Sequence, residues 1–224
     1  LKYFSKYNER LNMQPPDQVE SRRPLKVRGN QFSKNIAKWL SQKSITPNQI
    51  SVLSIVFAIF SAICFVLSVQ QIEYRAVWMI AAALFIQARL LCNLFDGMVA
   101  IEGGKSTASG ELFNDIPDRI SDPIIIIAAG YSILAVTWGV ELGGLAALLA
   151  VLTAYVRTLA VSIGAPSNFT GPMAKQHRMA LITISCVAVA IENHFWHHDY
   201  AMLIALLIMT FGCIWTLIRR THSA

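Results

Sequence analysis

The chain has 224 residues, of which 54% are hydrophobic and 14% are charged, and its mean hydropathy is +0.48. This composition excludes an ordinary soluble domain and indicates an integral membrane protein. The net charge of +6 does not indicate a nucleic-acid partner, because the basic residues crowd into the first segment and the helix ends without interleaved aromatics. Membrane lipids with anionic headgroups are the expected partner.

Residues 1–45 are predicted to form a basic cytosolic segment. Ten of the 19 Lys and Arg residues fall before residue 44. Within the segment, the sequence QFSKNIAKWLSQK places Phe32, Ile36, Trp39 and Leu40 at helical spacing, opposite three lysines. This pattern predicts an amphipathic helix that lies in the membrane interface, and the alternative is a solvated basic arm.

Residues 46–224 are predicted to form an all-α domain of six transmembrane helices. Thr46-Pro47-Asn48 is typical of a helix start, with Thr46 as N-cap. Six apolar runs follow, each near the ~20 residues that cross a bilayer once the polar first turns of the third and fifth are counted. The runs are 50–69, 76–93, 123–138, 142–163, 179–191 and 200–218.

The distribution of Lys and Arg predicts the orientation of these spans. Seven basic residues beyond the leader lie on the side where the chain begins, whereas Arg75 alone occupies the opposite connections. The positive-inside rule therefore puts both termini in the cytosol, and we expect a multi-pass protein of the bacterial inner (cytoplasmic) membrane. The seven are Lys105, Arg119, Arg157, Lys175, Arg178, Arg219 and Arg220.

Polar residues at the end of the second span mark a candidate site. Arg89, Asn93, Asp96 and Ala100 stand at i, i+4, i+7 and i+11, so a helix places them along one face. Ionisable groups at the end of a membrane span are costly, and their presence indicates a function.

The helix that opens the third span adds a second polar stripe. Asn114 and Asp115 both lie near Asp118 around the helix axis, and Glu111 and Asp122 extend the stripe. Two helix ends thus direct oxygen ligands into one cytosolic cavity. Clustered hard oxygens are what Mg²⁺, Mn²⁺ or Ca²⁺ requires.

Other interpretations of these polar residues are a structural cluster that braces two helices and an ion path through a transporter. The carboxylates are confined to the cytosolic helix ends, which counts against a transmembrane path. A second metal site at His194 and His198 is a further alternative, because their i, i+4 spacing suits a helix. No carboxylate or cysteine completes that site in sequence, and a headgroup belt explains the same residues.

The polar stretch resembles the signature of the CDP-alcohol phosphatidyltransferase family, D-x-x-D-G-x-x-A-R-x8-G-x3-D-x3-D. The resemblance extends to the six spans, the amphipathic leader and the basic residues after the fourth span. The chain is identified as a divergent member, because two asparagines stand at the first and third aspartates and an isoleucine at the arginine. The matched positions, in register, are Asn93, Asp96, Gly97, Ala100, Ile101, Gly110, Asn114 and Asp118.

The resemblance implies an enzyme that moves a phosphatidyl group from CDP-diacylglycerol to an alcohol and releases CMP. It implies that Asp118 is the base that takes the proton of the acceptor hydroxyl. It also implies a divalent metal, Mg²⁺ or Mn²⁺, that neutralises charge as CMP leaves. The implied metal ligands are Asn93, Asp96, Asn114 and Asp118, with Asp115 as a compensating ligand, and the implied nucleotide contacts are Asp96, Gly97, Ala100 and Gly110.

Three cations near the fourth and fifth spans, Arg157, Lys175 and Arg178, suggest a phosphorylated acceptor such as glycerol 3-phosphate or an inositol phosphate. The alternative is that positive-inside placement alone put them there. The family also suggests a homodimer.

The two asparagines leave other functions open. A carboxamide can offer a carbonyl oxygen to a metal but brings no charge, so metal affinity should fall unless Glu111 or Asp115 compensates. The first alternative is therefore a non-catalytic membrane protein that holds CDP-lipid or headgroups. A small transporter is the second, and only the apolar composition favours it.

Overall fold

The computed structural model describes residues 31–43, 46–102, 110–165, 171–195 and 199–223, and the side chains of 32–34, 37, 41, 101–114 and 194 lie outside that description. The described chain is all-helical and contains no strand. A 3-10 turn, Ile72–Tyr74, precedes α3. The helices are α1 Gln31–Gln42, α2 Pro47–Gln70, α3 Arg75–Glu102, α4 Gly110–Tyr131, α5 Gly139–Ser162, α6 Lys175–Phe195 and α7 Ala201–His222.

Among the described residues, four segments are long and apolar enough to cross a membrane. The predicted all-α class is confirmed, and the four segments suggest a membrane-embedded protein. They correspond to the first, second, fourth and sixth predicted runs. The third and fifth runs correspond to α4 and α6, whose first turns carry charged residues. The four segments are Pro47–Gln70, Ile72–Ala100, Gly139–Ser162 and Ala201–His222.

The predicted helix start at Thr46 is confirmed. The Thr46 hydroxyl oxygen accepts a hydrogen bond from the Gln49 backbone N–H at 3.2 Å, and the Thr46 backbone N–H donates to the Gln49 side chain at 3.0 Å. This reciprocal pair satisfies two N–H groups that a helix start leaves without partners. The helix preceding it, α1, places Leu40 against an apolar cluster that contains Ile50 and Cys92.

The seam between α2 and α3 is built from small polar residues. Ser54, Ser61 and Ser68 are fully buried on α2. Two of their hydroxyls donate to the carbonyl oxygens three residues earlier, and Ser61 donates to the Ala82 carbonyl oxygen of α3 at 3.4 Å. Small side chains that satisfy their own hydroxyls let two membrane helices approach closely. The seam therefore holds α3 closely against α2.

The third predicted run was wrong at its end, because α4 stops at Tyr131 and residues 132–138 form a connection. Buried Arg75 and partly buried Asp199 hold this connection. Arg75 donates to the Ser132 carbonyl oxygen at 2.7 Å and to the Asp199 carboxylate at 2.6 Å, and the Leu134 backbone N–H donates to Asp199 at 2.7 Å. Side chains distant in sequence thus satisfy the backbone groups that a helix would have paired.

Candidate active site

Asp118 lies where the end of α3 meets the starts of α4 and α6. Its Oδ1 accepts hydrogen bonds from Arg89 Nη2 at 2.8 Å and from Asn93 Nδ2 at 2.6 Å. Its Oδ2 pairs with the ammonium group of Lys175. The structure therefore brings three predicted site residues, Asn93, Asp118 and Lys175, into direct contact.

Asp122 stands one helical turn after Asp118 and joins the same network. Its carboxylate forms ion pairs with Arg89 Nη2 at 2.7 Å and with Arg178 Nη2 at 3.2 Å. The Arg178 side chain is 4% exposed, and its Nη1 donates to the Met173 carbonyl oxygen at 2.8 Å. The sequence predicts that Arg89 and Asp122 lie on the two polar stripes, but it does not predict their role. The sequence feature that could have identified them is helical spacing, because Arg89 lies one turn before Asn93 and Asp122 lies one turn after Asp118.

Asp96 is buried and lies on the side of α3 that faces α2. The Ser51 hydroxyl donates to Asp96 Oδ2 at 2.8 Å. Sequence reasoning missed Ser51, because no helical spacing links it to Asp96. Within the described part of the chain, Asp96 Oδ1 and Asn93 Oδ1 are buried without a hydrogen-bond partner.

Asp115 is directed away from this network. Its side chain is 44% exposed and pairs with Arg119 Nη2 at 2.7 Å and with Arg157 Nη2 at 3.5 Å. Both carboxylate oxygens of Asp115 thus face guanidinium groups. The structure does not bring Asp115 together with Asn93 and Asp96.

The three cations predicted to bind the acceptor each pair with a different carboxylate of α4. Arg157 pairs with Asp115, Lys175 with Asp118, and Arg178 with Asp122. The side chains of Arg157 and Lys175 are 29% and 28% exposed. An anion that entered from the aqueous side would therefore meet these two cations before the buried Arg178.

The start of α6 is positioned by α7. The Met173 backbone N–H donates to Thr216 Oγ1 at 3.1 Å. Gly171 has a φ of +120°, and a Cβ there would lie 2.5 Å from Thr216 Cγ2. Only glycine suits both the backbone angle and the close approach. This contact places Lys175 and Arg178 opposite α4.

The residues predicted to contact the nucleotide lie on α3 and at the start of α4. Gly97 is buried and Ala100 is partly buried, one helical turn apart on α3. Gly110 is the first residue of α4, and Asn114 lies in its next turn. The predicted metal-ligand role of the Asn114 side chain falls outside the described side chains.

Asn93 and Asp96 offer the candidate oxygen ligands for a divalent ion. Their two unpartnered oxygens are hard ligands of the kind that Mg²⁺ and Mn²⁺ prefer. No group of three or more His, Cys, Asp or Glu side chains suited to a metal occurs among the described residues. The oxygens of Asp118 face protein donors instead.

One comparison with known proteins gives the family. A family model described as CDP-alcohol phosphatidyltransferase matches residues 44–217. A comparison with curated proteins found no match.

Solved structures of the phosphatidylinositol phosphate synthase of Mycobacterium tuberculosis share the fold. The structure with CDP-DAG bound is 17% identical in sequence, and the two chains superpose with a TM-score of 0.71. The match covers 87% of this chain and 94% of the synthase chain. The complex with manganese and citrate is 17% identical, and the match covers 85% of this chain and 88% of the synthase chain, with a TM-score of 0.71. The apo form is 18% identical, and the match covers 84% of this chain and 94% of the synthase chain, with a TM-score of 0.68.

The family model spans more than half of the chain and includes every helix that contributes to the candidate site. The chain therefore belongs to the CDP-alcohol phosphatidyltransferase family, whose enzymes transfer a phosphatidyl group from a CDP-linked lipid to an alcohol.

Proposed function

We propose that this chain transfers the phosphatidyl group of CDP-diacylglycerol to a small phosphorylated alcohol, such as glycerol 3-phosphate or an inositol phosphate, and releases CMP. The observation that carries the proposal is the pairing of Asp118 with Lys175. A carboxylate able to take a proton lies beside a cation able to bind a phosphate, and both are reached from one end of the helix bundle.

The acceptor phosphate binds Lys175 and Arg157, because their side chains are more than a quarter exposed and a phosphate can exchange with their carboxylate partners. Arg178 is nearly fully buried, and its ion pair with Asp122 keeps it in place. Its positive charge attracts the phosphate from the buried side of the site. The two exposed cations, Lys175 and Arg157, contact the phosphate directly.

Asp118 acts as the general base through Oδ2. Arg89 and Asn93 fix Oδ1 from the buried side, so Oδ2 is the oxygen that an acceptor can approach once Lys175 moves to the phosphate. The acceptor hydroxyl gives its proton to Oδ2 while its oxygen attacks the phosphorus that carries the lipid. A new P–O bond forms, and the P–O bond to CMP breaks.

Asn93 and Asp96 would hold a divalent ion, Mg²⁺ or Mn²⁺, through their unpartnered oxygens. The bound ion supplies positive charge that stabilises the pyrophosphate oxygens as CMP leaves. The manganese complex of the mycobacterial synthase supports a divalent ion as the cofactor. Asn114 of α4 completes the proposed ligand set, because it stands at the third aspartate of the family signature.

The nucleotide binds against Asp96, Gly97 and Ala100 of α3 and Gly110 of α4. The small residues Gly97, Ala100 and Gly110 leave room for a pyrophosphate to approach the backbone. The mycobacterial synthase has been solved with CDP-DAG bound, which supports the same donor here.

The proposed setting is a six-span domain, residues 46–224, in the bacterial inner membrane. Helices α4 and α6 complete the six spans, and the site faces the cytosol. Helix α1 lies in the interface, which its exposed Trp39 and the Lys43 ammonium 5.6 Å from that ring support. The family resemblance supports a homodimer.

The test uses purified protein in detergent micelles with labelled CDP-diacylglycerol and either Mg²⁺ or Mn²⁺. Acceptors are offered in pairs: glycerol 3-phosphate with glycerol, and inositol phosphate with inositol. We expect CMP release and a new lipid with one phosphorylated acceptor and little with its unphosphorylated partner. If CDP-diacylglycerol binds but no acceptor gives CMP, the chain holds CDP-lipid without turnover and the proposal fails.

A further inference from the structure

Arg89 is an unusual residue for the interior of a membrane protein. Its side chain is 0% exposed, and it lies on α3 one helical turn before Asn93. A single nitrogen, Nη2, reaches both Asp118 Oδ1 at 2.8 Å and Asp122 Oδ1 at 2.7 Å. Within the described residues, Nε and Nη1 have no hydrogen-bond partner. A guanidinium buried with unpartnered N–H groups is costly, so its value to the molecule lies in its charge.

Asn93 supports the same arrangement. Its Nδ2 donates to the oxygen of Asp118 that Arg89 contacts, which a carboxylate at position 93 could not do. Asp118 Oδ1 therefore has two protein donors, and Lys175 covers Oδ2. A divalent ion at Asp118 would have to displace these donors and lie beside a buried positive charge that cannot move to water.

In the part of the chain that the structure describes, Asp122 Oδ1 has no hydrogen bond but forms the ion pair with Arg89. The other two such acceptors lie on α3. Asn93 Oδ1 and Asp96 Oδ1 are buried and unpartnered within the described structure. The second oxygen of Asp96 is held by the Ser51 hydroxyl at 2.8 Å, a neutral donor that leaves the carboxylate charge uncompensated at that contact. The charges thus differ between the carboxylates of Asp118 and Asp122, which pair with cations, and the oxygens of Asn93 and Asp96, which face no cation at hydrogen-bond distance in the described structure.

We propose that Arg89 is a resident cation that supplies at Asp118 the positive charge a second divalent ion would bring, so the chain binds one divalent ion, at Asn93 and Asp96, and no metal pair. The inference rests on the proposed function only in taking that ion as the cofactor. It concerns how many ions bind and where, which can be measured without turnover.

The experiment counts bound Mn²⁺ per chain on the purified protein by equilibrium titration and by electron paramagnetic resonance. We expect wild type to bind one Mn²⁺ with the spectrum of an isolated ion. Asn93→Asp should bind one ion more tightly, because Arg89 still occupies the second position. Arg89→Met combined with Asn93→Asp should bind two ions with the spectrum of an exchange-coupled pair. Arg119→Gln, which removes a guanidinium paired with Asp115, should leave the count at one.

A coupled pair in wild type, or in Asn93→Asp alone, would overturn the proposal. These two proteins keep Arg89, so the test does not depend on whether the Arg89 variant folds. CMP release is measured on the same samples. If wild type binds a coupled pair and releases CMP, the role of Arg89 as a resident cation is overturned and the proposed function stands. If wild type binds one isolated ion but releases no CMP with any acceptor, the proposed function fails and the role of Arg89 stands.

Discussion

At the scale of single residues, Asp118 is the group on which the candidate site converges, since three side chains from two other helices, α3 and α6, contact its carboxylate. Asp118→Asn removes the proton acceptor with nearly the same shape, so we expect transfer to fall about 10²- to 10⁴-fold. CMP release measures this, and thermal unfolding followed by tryptophan fluorescence shows whether the fold persists. The control is Glu141→Gln, an exposed carboxylate at the opposite end of the molecule, which should change neither quantity. Normal turnover in Asp118→Asn would remove the proposed base.

Lys175 tests the acceptor class. Lys175→Gln should raise the KM for a phosphorylated acceptor by at least tenfold, because a charge-assisted contact to phosphate contributes roughly 1.5–3 kcal/mol. The KM for CDP-diacylglycerol should stay unchanged. The matched control is Arg219→Gln, an exposed cation near the end of α7. An equal loss for phosphorylated and unphosphorylated acceptors would show that Lys175 does not bind the phosphate.

Helical spacing alone placed Asn93 near Asp96 and Asn114 near Asp118, because residues three or four apart share a helix face. The contacts that sequence reasoning missed join different helices. Ser51 and Asp96 are 45 residues apart, and Asp122 and Arg178 are 56 apart. Which turn of one helix meets which turn of another depends on packing, and a single sequence carries little information on it.

At the scale of elements, the crossing of α4 and α5 depends on glycines. A Cβ on Gly143 would lie 3.0 Å from both Gly130 Cα and the Ile126 carbonyl oxygen, whereas a Cβ on Gly144 would meet nothing within 4 Å. We expect Gly143→Ala to lower the free energy of unfolding by about 1–3 kcal/mol, because backbone must shift to admit the methyl group. Gly144→Ala is the matched control and should be neutral or slightly stabilising. Thermal unfolding of both variants in the same detergent checks this, and equal effects would show that the close approach is not limiting.

The helices themselves were largely predictable, because apolar runs near bilayer length leave few alternatives to a helix. The run that begins at 123 shows where hydropathy stops being informative. Residues 132–138 are as apolar as a span, yet they form a connection whose backbone Arg75 and Asp199 satisfy. Hydropathy measures preference for lipid, and it does not register a hydrogen bond from a residue 57 positions away.

At the scale of the whole molecule, Arg75 also bears on the number of spans. It begins α3 and donates to Ser132, just after α4 ends, and to Asp199, just before α7 begins. The start of α3, the end of α4 and the start of α7 therefore meet at one level, which requires α4 to run the full depth of the bundle beside α3. Six spans follow if α4 and α6 cross the membrane together with the four more apolar segments.

Cysteine accessibility separates six spans from four. With six, Val140 follows three spans and lies outside the cytosol, while Ser223 lies in it; with four, both lie on the cytosolic side. Val140 and Ser223 are exposed, and the native cysteines Cys64, Cys92, Cys186 and Cys213 are all buried, so background labelling should be low. In intact cells a membrane-impermeant maleimide should label Val140→Cys, and it should label Ser223→Cys only after permeabilisation. Protection of both positions until permeabilisation would show that α4 does not cross the membrane, and labelling of both from outside would reverse the predicted position of the C-terminus.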